Sequence, residues 1–395
     1  MLSATVLYTS ADASPQSGAF RNLLFLIATV QSVDLKPILV THCSQKDSTL
    51  GLVGPSIELC FVNLPRAKRQ KSWRYLLGYA RDNLIAISIL LRTIRQEAVD
   101  IVHVNEITDF YGAIAAKLAG KPCVWHVRAG FESSSFLEKM IPRLCNLLAT
   151  RIVVASESVY REKFPFLNIE EGQLIVLYDP VSNPETFHAD GYPDYIRDEF
   201  KLRRQQPLIV LVAKLIEQKG HDIVIRAVPE VLRHHPEAMF LIVGGDVPGK
   251  HHEEYAARIR ALPSDLCIKD NVIFTGFRAD VAEIMAAADL VLHCSKYPDP
   301  FPGVVLEAMS LGKAIIASNV GGPVEQLEHD VSGFLIEPDN PAALSQAIIT
   351  LLDNPSTRKR FGEAAVKRIN AKFSTEQFTK ELLSIYGEVL SGASR

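Results

Sequence analysis

The sequence predicts an α/β protein built from two parallel-sheet, Rossmann-like domains. Three observations carry that prediction. Short apolar runs at residues 100–104, 123–127, 208–212 and 238–243 read as strands buried on both faces. Stretches of helical length lie between them, and glycine stops several, as at Gly120 and Gly312. The alternation pauses after Tyr178-Asp179-Pro180 and restarts near residue 208, in a chain of 395 residues, long enough for two ordinary domains. The boundaries read from this are residues 1–180, residues 181–374, and a closing helix within 375–395.

Composition removes several function classes. The chain is 48% hydrophobic and 22% charged with a net charge of -3, so nothing in its balance points to nucleic acid. Six cysteines, at positions 43, 60, 123, 145, 267 and 294, form no CxxC pair and lie in apolar contexts. They read as reduced, buried thiols of a cytoplasmic protein. No apolar run approaches the roughly 18 residues of a membrane span. The best candidates, residues 23–30 and 84–91, read as core faces of helices. The N-terminus lacks the basic start of a signal peptide.

Taken in order, residues 4–9 form a strand, a small-residue loop reaches Gly18, and a helix covers 19–33. A strand, such a loop and a helix N-terminus form a common phosphate-binding unit. Strands follow at 37–42 and 59–64. Then come Arg66, Lys68, Arg69, Lys71 and Arg74, with Trp73 and Tyr75 interleaved, ahead of a helix over 76–96. No acid occurs between Glu58 and Asp82. Such a cluster suits anionic lipid headgroups or a charged acceptor, or reads as a solvated basic loop. It leaves open a peripheral contact with the inner face of the plasma membrane. A helix over 110–119 connects the strands at 100–104 and 123–127. The latter ends in Trp125-His126-Val127-Arg128, where alternation sets His126 and Arg128 on one side. Further strands are read at 152–155 and 174–177.

In the second half, Lys214 and Lys219 stand in the loop after the strand at 208–212. Taken alone, two loop lysines read as solvated charges; the alternative is that two cations there stabilise charge that builds on a departing diphosphate without a metal. Helices are expected over 221–234, 255–260 and 280–288, with strands at 238–243, 272–275 and 290–293. Residues 297–326 then read YPDPFPGVVLEAMSLGKAIIASNVGGPVEQ. A proline loop precedes a short helix over 304–311, a strand covers 314–317, and a glycine turn follows at Gly321-Gly322. Asp299 and Glu307 bracket the junction of loop and helix. Carboxylates there are poor phosphate ligands, yet they suit sugar or ribose hydroxyls, which need acceptors. Helices over 342–353, 357–371 and 375–390 complete the chain. His103, His234-His235 and His251-His252 lack acids at ligand spacing, so no metal site is expected.

These motifs resemble the signature of family-4 retaining glycosyltransferases. There an acid precedes Pro-Phe-Gly, and a Glu lies eight positions later at the start of Glu-Ala-Met. Asp299 and Glu307-Ala308-Met309 take those places here. The family's Arg and Lys, five positions apart, correspond to Lys214 and Lys219, and its first-lobe histidine falls at His126 or at Arg128. The departures are an aspartate one methylene short, Pro302 in place of a glycine, Lys214 in place of an arginine, and Asp179-Pro180 in place of an Asn-Gly hinge.

The resemblance implies the two-lobed glycosyltransferase-B architecture, with the lobes facing across a cleft and the last helix returning to the first lobe. It implies retaining transfer of a sugar, in the hexosyltransferase class, from a nucleotide-diphosphate sugar to a carbohydrate or lipid-linked acceptor. Cell-surface polysaccharide or glycolipid synthesis is the expected setting, with no metal and no other cofactor. His126, Lys214, Lys219 and Asp299 would form the catalytic set. Gly18, Arg128, Phe277, Phe301, Gly303, Val304 and Glu307 would hold the donor. A phosphorylase or sugar-phosphate synthase on the same architecture, or a silent sugar- or nucleotide-binding protein, is the alternative.

Overall fold

The structure, a computed structural model, describes residues 4–12, 17–31, 35–50, 53, 57–65, 73–128, 136–165, 172–181, 184–188 and 195–392. The chain forms two compact units, Met1–Ser182 with Thr375–Arg395, and Asn183–Ser374.

The first unit runs β1 (Ala4–Ser10), α1 (Gly18–Gln31), β2 (Leu35–His42), α2 (Lys46–Leu50), β3 (Glu58–Val62), α3 (Trp73–Gln96), β4 (Ile101–Val104), α4 (Phe110–Leu118), β5 (Cys123–Val127), α5 (Phe136–Leu148), β6 (Arg151–Val154), α6 (Glu157–Lys163) and β7 (Leu174–Val176). Its seven strands are parallel, in the order β3-β2-β1-β4-β5-β6-β7. Apolar side chains leave both faces of the sheet, so two cores form. One gathers Leu90 and Ile94 of α3 with Tyr111 and Ala115 of α4 against Val102, Val104 and Trp125. The other packs Phe20, Leu23, Ile27 and Val30 of α1 against Val6, Tyr8 and Ile101. The last helix of the chain supplies Phe378, Leu382, Ile385 and Tyr386 to that second core, so it belongs to the first unit.

The second unit contains α7 (Tyr195–Glu199), β8 (Leu208–Val212), α8 (His221–His234), β9 (Met239–Val243), α9 (Lys250–Asp265), β10 (Val272–Gly276), α10 (Val281–Ala287), β11 (Leu290–His293), α11 (Gly303–Ser310), β12 (Ala314–Ser318), α12 (Pro323–Gln326), β13 (Phe334–Ile336), α13 (Pro341–Asp353) and α14 (Pro355–Lys372). The closing helix is α15 (Thr375–Ser391). Its six strands are parallel, in the order β10-β9-β8-β11-β12-β13. Both sheets are those of a Rossmann-like domain, as the sequence predicts.

Several local expectations are corrected. Helix α9 spans Lys250–Asp265 and exceeds the six residues expected, because Pro263 sits in its last turn and interrupts little. Elements α2, α5, α6, α7, α12 and β13 are additions; β13 has three residues, too few for a periodic signal, and Pro142 lies inside α5. Residues 84–91 are not a continuous core face, since Leu84 is 68% and Ile85 46% exposed while Ala86 and Leu90 are buried. Cys43 and Cys267 are exposed, whereas Cys123, Cys145 and Cys294 are buried; all six are free. Arg66, Lys68, Arg69 and Lys71 lie outside the described residues. No helix among the described residues is long and apolar enough to cross a membrane.

Candidate active site

In the second sheet the chain runs outward from β8 to β9 and β10, then crosses back to β11, β12 and β13. The loops that leave β8 and β11 therefore diverge, and the carboxyl ends of these strands frame the crevice where open α/β sheets bind ligands. Lys219 arises from the loop after β8 and Asp299 from the loop after β11. They meet as an ion pair between Lys219 Nζ and Asp299 Oδ2. His293 Nε2 lies 3.1 Å from the same oxygen, and Ser295 Oγ lies 3.4 Å from His293 Nε2. Burial alone would push the Asp299 carboxyl up; the Lys219 ammonium and the His293 ring outweigh it and hold the group well below the usual carboxylate range. Asp299 is thus ionised at neutral pH and can only accept hydrogen bonds.

The backbone explains why the two loops come together. Lys296 N donates to Gln218 O at 2.8 Å. Gly220 adopts φ 64°, and a Cβ there would fall 1.9 Å from Cys294 O, so only glycine admits the contact. On the far side, Gly322 N donates to Asp299 O at 2.7 Å, and a Cβ on Gly321 would lie 2.5 Å from that oxygen. The glycine turn before α12 therefore seats the loop that carries Asp299.

Helix α11 begins one residue after Pro302, whose carbonyl accepts from Gln326 Nε2 at 3.0 Å. Pro302 brings no side-chain cap to the amides of Gly303 and Val304. Glu307 lies one turn along the helix and is 9% exposed; its Oε1 reaches back to 4.0 Å from a Cβ built on Gly303. Phe301 turns inward and meets Phe373 edge-on, with ring centroids 5.6 Å apart, so it anchors the loop. Lys214 is exposed. Its neighbour Leu215 donates to Gly245 O at 3.1 Å, and Gly244 donates to Gly276 O at 2.9 Å. Phe277 follows β10 and is 65% exposed; the end of β9 lies between it and the end of β8 that carries Lys214.

The first unit places its expected residues differently. Gly18 opens α1, where Ser17 Oγ accepts from Phe20 N at 3.4 Å, and a Cβ built on Gly18 meets nothing within 4 Å. His126 and Arg128 lie on one side of the β5 end, and both are buried. Arg128 forms an ion pair with Asp179, donates from Nε to Asn105 Oδ1 at 3.0 Å, and approaches His126 Nδ1 at 3.3 Å. Asn22 of α1 also donates to Asp179 Oδ2 at 2.8 Å. A guanidinium can only donate, so His126 Nδ1 accepts. Beside them His103 Nδ1 lies 2.8 Å from Tyr386 Oη, which is 3.2 Å from Tyr8 Oη. As placed, Arg128 can reach a ligand only by leaving Asp179.

Asp179, His293, Asn105 and Tyr386 were not legible as partners in these two clusters. Asp179 reads in sequence only as a turn residue before a proline, and His293 only as the last residue of a strand. A strand-end imidazole six residues before an acid is the signal that could have marked His293.

Burial lowers the pKa of three imidazoles: His103 from 6.5 to about 3, His221 from 6.5 to about 4, and His126 well below its usual value, with Arg128 adding to the effect at His103 and His126. Each ring is neutral in the fold but gains a proton when unfolded below about pH 6.5. Their contribution to stability is complete above the unfolded pKa and is lost as pH falls toward the folded values. The thermal midpoint should therefore drop steadily from pH 7 to pH 5, each ring contributing up to about 1.4 kcal/mol per pH unit below the unfolded pKa. A midpoint flat across that interval would show the rings to be charged or exposed.

The two sheets and the charged crevice define a glycosyltransferase-B fold. Across 98% of this chain the fold matches a glycosyltransferase from Rickettsia africae, with TM-score 0.80, 20% identity and 99% of that chain covered. Anabaena HepE in complex with UDP-glucose matches equally, with TM-score 0.80, 21% identity, and 98% and 100% coverage. Residues 194–368 match the family model described as Glycosyl transferases group 1. An uncharacterized glycosyltransferase of Methanocaldococcus jannaschii is 26% identical over 305 residues, 73% of this chain and 75% of its own length. An Escherichia coli UDP-Gal:alpha-D-GlcNAc-diphosphoundecaprenol alpha-1,3-galactosyltransferase is 25% identical over 276 residues, covering 67% and 69%.

Proposed function

We propose that this protein is a retaining glycosyltransferase that takes a sugar from a nucleotide-diphosphate sugar. One observation carries the reading: the Lys219–Asp299 pair stands at the strand crossover of the second sheet, with Glu307 one helical turn beyond it. A nucleotide sugar presents a diphosphate that needs cations and hydroxyls that need acceptors, and this group offers both. Lys219, with Lys214, neutralises the diphosphate as the glycosidic bond breaks. Asp299 accepts hydrogen bonds from the sugar hydroxyls and Glu307 from the ribose. The amides of Gly303 and Val304 face phosphate or sugar oxygens at the helix N-terminus. Phe277 meets the base through its backbone, and Phe301 holds the loop. In the first unit, Gly18 lies at a helix start suited to phosphate. The Arg128–Asp179 pair positions His126.

The acceptor is a saccharide, free or lipid-borne. A cavity of about 480 Å³ in the first unit, lined by His42, Asn63, Tyr75, Tyr79 and Asp82, offers it ring faces and hydrogen-bonding groups. Tyr75 and Tyr79 stack there at 5.9 Å. The E. coli relative acts on a diphosphoundecaprenol-linked sugar, which supports a role in cell-surface polysaccharide or glycolipid synthesis. No group of three or more His, Cys, Asp or Glu that could hold a metal ion occurs among the described residues.

Calorimetric titration with UDP and UDP-glucose, and with GDP and GDP-mannose as a second arm, tests the two acids. Glu307→Gln should weaken nucleoside diphosphate and nucleotide sugar alike. Asp299→Asn should weaken only the nucleotide sugar. A hydrogen bond to a charged group contributes roughly 1.5 to 3 kcal/mol, so each loss should be about tenfold or more. Equal loss of both ligands in Asp299→Asn would remove Asp299 from the sugar site. Ligand binding without donor consumption toward any acceptor would favour a silent binding protein.

A further inference from the structure

Helix α3 carries a solvent-facing stripe that the transferase reading does not use. Trp73 is 65%, Leu77 62% and Leu84 68% exposed, far above what apolar side chains on a packed helix show. At 3.6 residues per turn, positions 73, 77 and 84 fall on one narrow arc. Ala86, Leu90 and Ile94 on the opposite side are buried against the sheet. Four arginines, Arg74, Arg81, Arg92 and Arg95, share or border the outer arc, and the helix holds a single acid, Asp82. The Arg74 guanidinium lies 5.5 Å from the centre of the Trp73 ring. The sequence just before the helix adds Arg66, Lys68, Arg69 and Lys71 with no acid, in a chain whose net charge is -3.

From this we infer that the outer face of α3 rests on an anionic lipid bilayer. The helix would lie in the plane of the interface, with Trp73, Leu77 and Leu84 at the acyl boundary and the arginine heads among the phosphates. Charge decides against a second copy of this chain, because two such faces would set arginines against arginines. The stripe lacks acids, and a bilayer supplies a continuous negative partner for it. The inner side of the same helix lines the cavity with Tyr75, Tyr79 and Asp82, so a membrane seat brings that cavity to the level of a lipid headgroup. The inference stands apart from the donor reading, since vesicle binding needs no nucleotide sugar.

The full chain carries its own reporter. It has two tryptophans, and Trp125 is fully buried in the first core while Trp73 is exposed. With phosphatidylcholine vesicles containing phosphatidylglycerol, at low salt, the protein should sediment and its emission should shift to the blue. Trp73→Phe should abolish the shift. Leu77→Ser with Leu84→Ser should lower partitioning by at least about tenfold, and each of Arg74→Glu and Arg92→Glu by at least about fivefold. Raised salt should weaken binding. Equal sedimentation with pure phosphatidylcholine, or an unshifted Trp73 emission, overturns the inference. So does a Leu77→Ser/Leu84→Ser variant that keeps its vesicle binding but changes oligomeric state in lipid-free buffer, because the stripe would then be a contact between copies.

Discussion

Lys219→Ala should lower the release of nucleoside diphosphate from a nucleotide sugar by roughly 100-fold or more, the scale seen when one preorganised donor to a transition-state charge is removed. The lysine acts on two partners, and the test must separate them. In the free protein it pairs with Asp299, whose side chain is 12% exposed. Without the ammonium, burial is opposed only by His293, so the carboxyl moves up from its present low value. Some loss of stability therefore accompanies the loss of turnover. The double variant Lys219→Ala/Asp299→Asn removes the orphaned charge and should recover stability relative to Lys219→Ala. It should not recover turnover, because the departing diphosphate still lacks its cation. A double-mutant cycle in both readouts makes the distinction. Turnover of Lys219→Ala within a few-fold of the parent protein would end the assignment. Lys214→Arg should be tolerated, since an arginine keeps the charge and adds a bidentate fork.

Arg128→Met should destabilise the first unit by about 3–5 kcal/mol, the scale for breaking one side of a buried ion pair. The Arg128 and Asp179 side chains are 3% and 5% exposed, so water cannot replace the guanidinium. Among the described residues Asp179 would keep only the amide of Asn22, and Asn105 and His126 would each lose a donor. The paired change Arg128→Met/Asp179→Leu replaces both charges by apolar groups and should recover much of the loss. Both tryptophans belong to the first unit, so denaturant unfolding followed by fluorescence reports on it directly. A midpoint unchanged in Arg128→Met would mean that Asp179 is solvated and that the pair does not hold this sheet end together. A partial loss of donor binding alongside normal stability would instead place Arg128 on the ligand.

The sequence by itself determined the class of fold. Runs such as Leu208–Val212 and Met239–Val243 are apolar throughout, which only a strand covered on both faces tolerates, and glycines at 120 and 312 end helices between the strands. It also placed Lys219 and Asp299 in the loops after strands and Glu307 in the short helix beyond, because apolar runs precede those loops and proline and glycine mark them. Tertiary structure alone decided what each polar group touches. Asp299 and Lys219 are 80 residues apart, and their contact follows from β8 and β11 lying side by side, an order that no local pattern encodes. The same holds for Arg128 with Asp179 and for His103 with Tyr386, which is 283 residues away on a helix that crosses back to the first sheet. It also decided which face of α3 meets the core: residues 84–91 read as a core face in sequence, and only the packed sheet shows that Ala86 and Leu90 take that place while Leu84 and Ile85 stay outside.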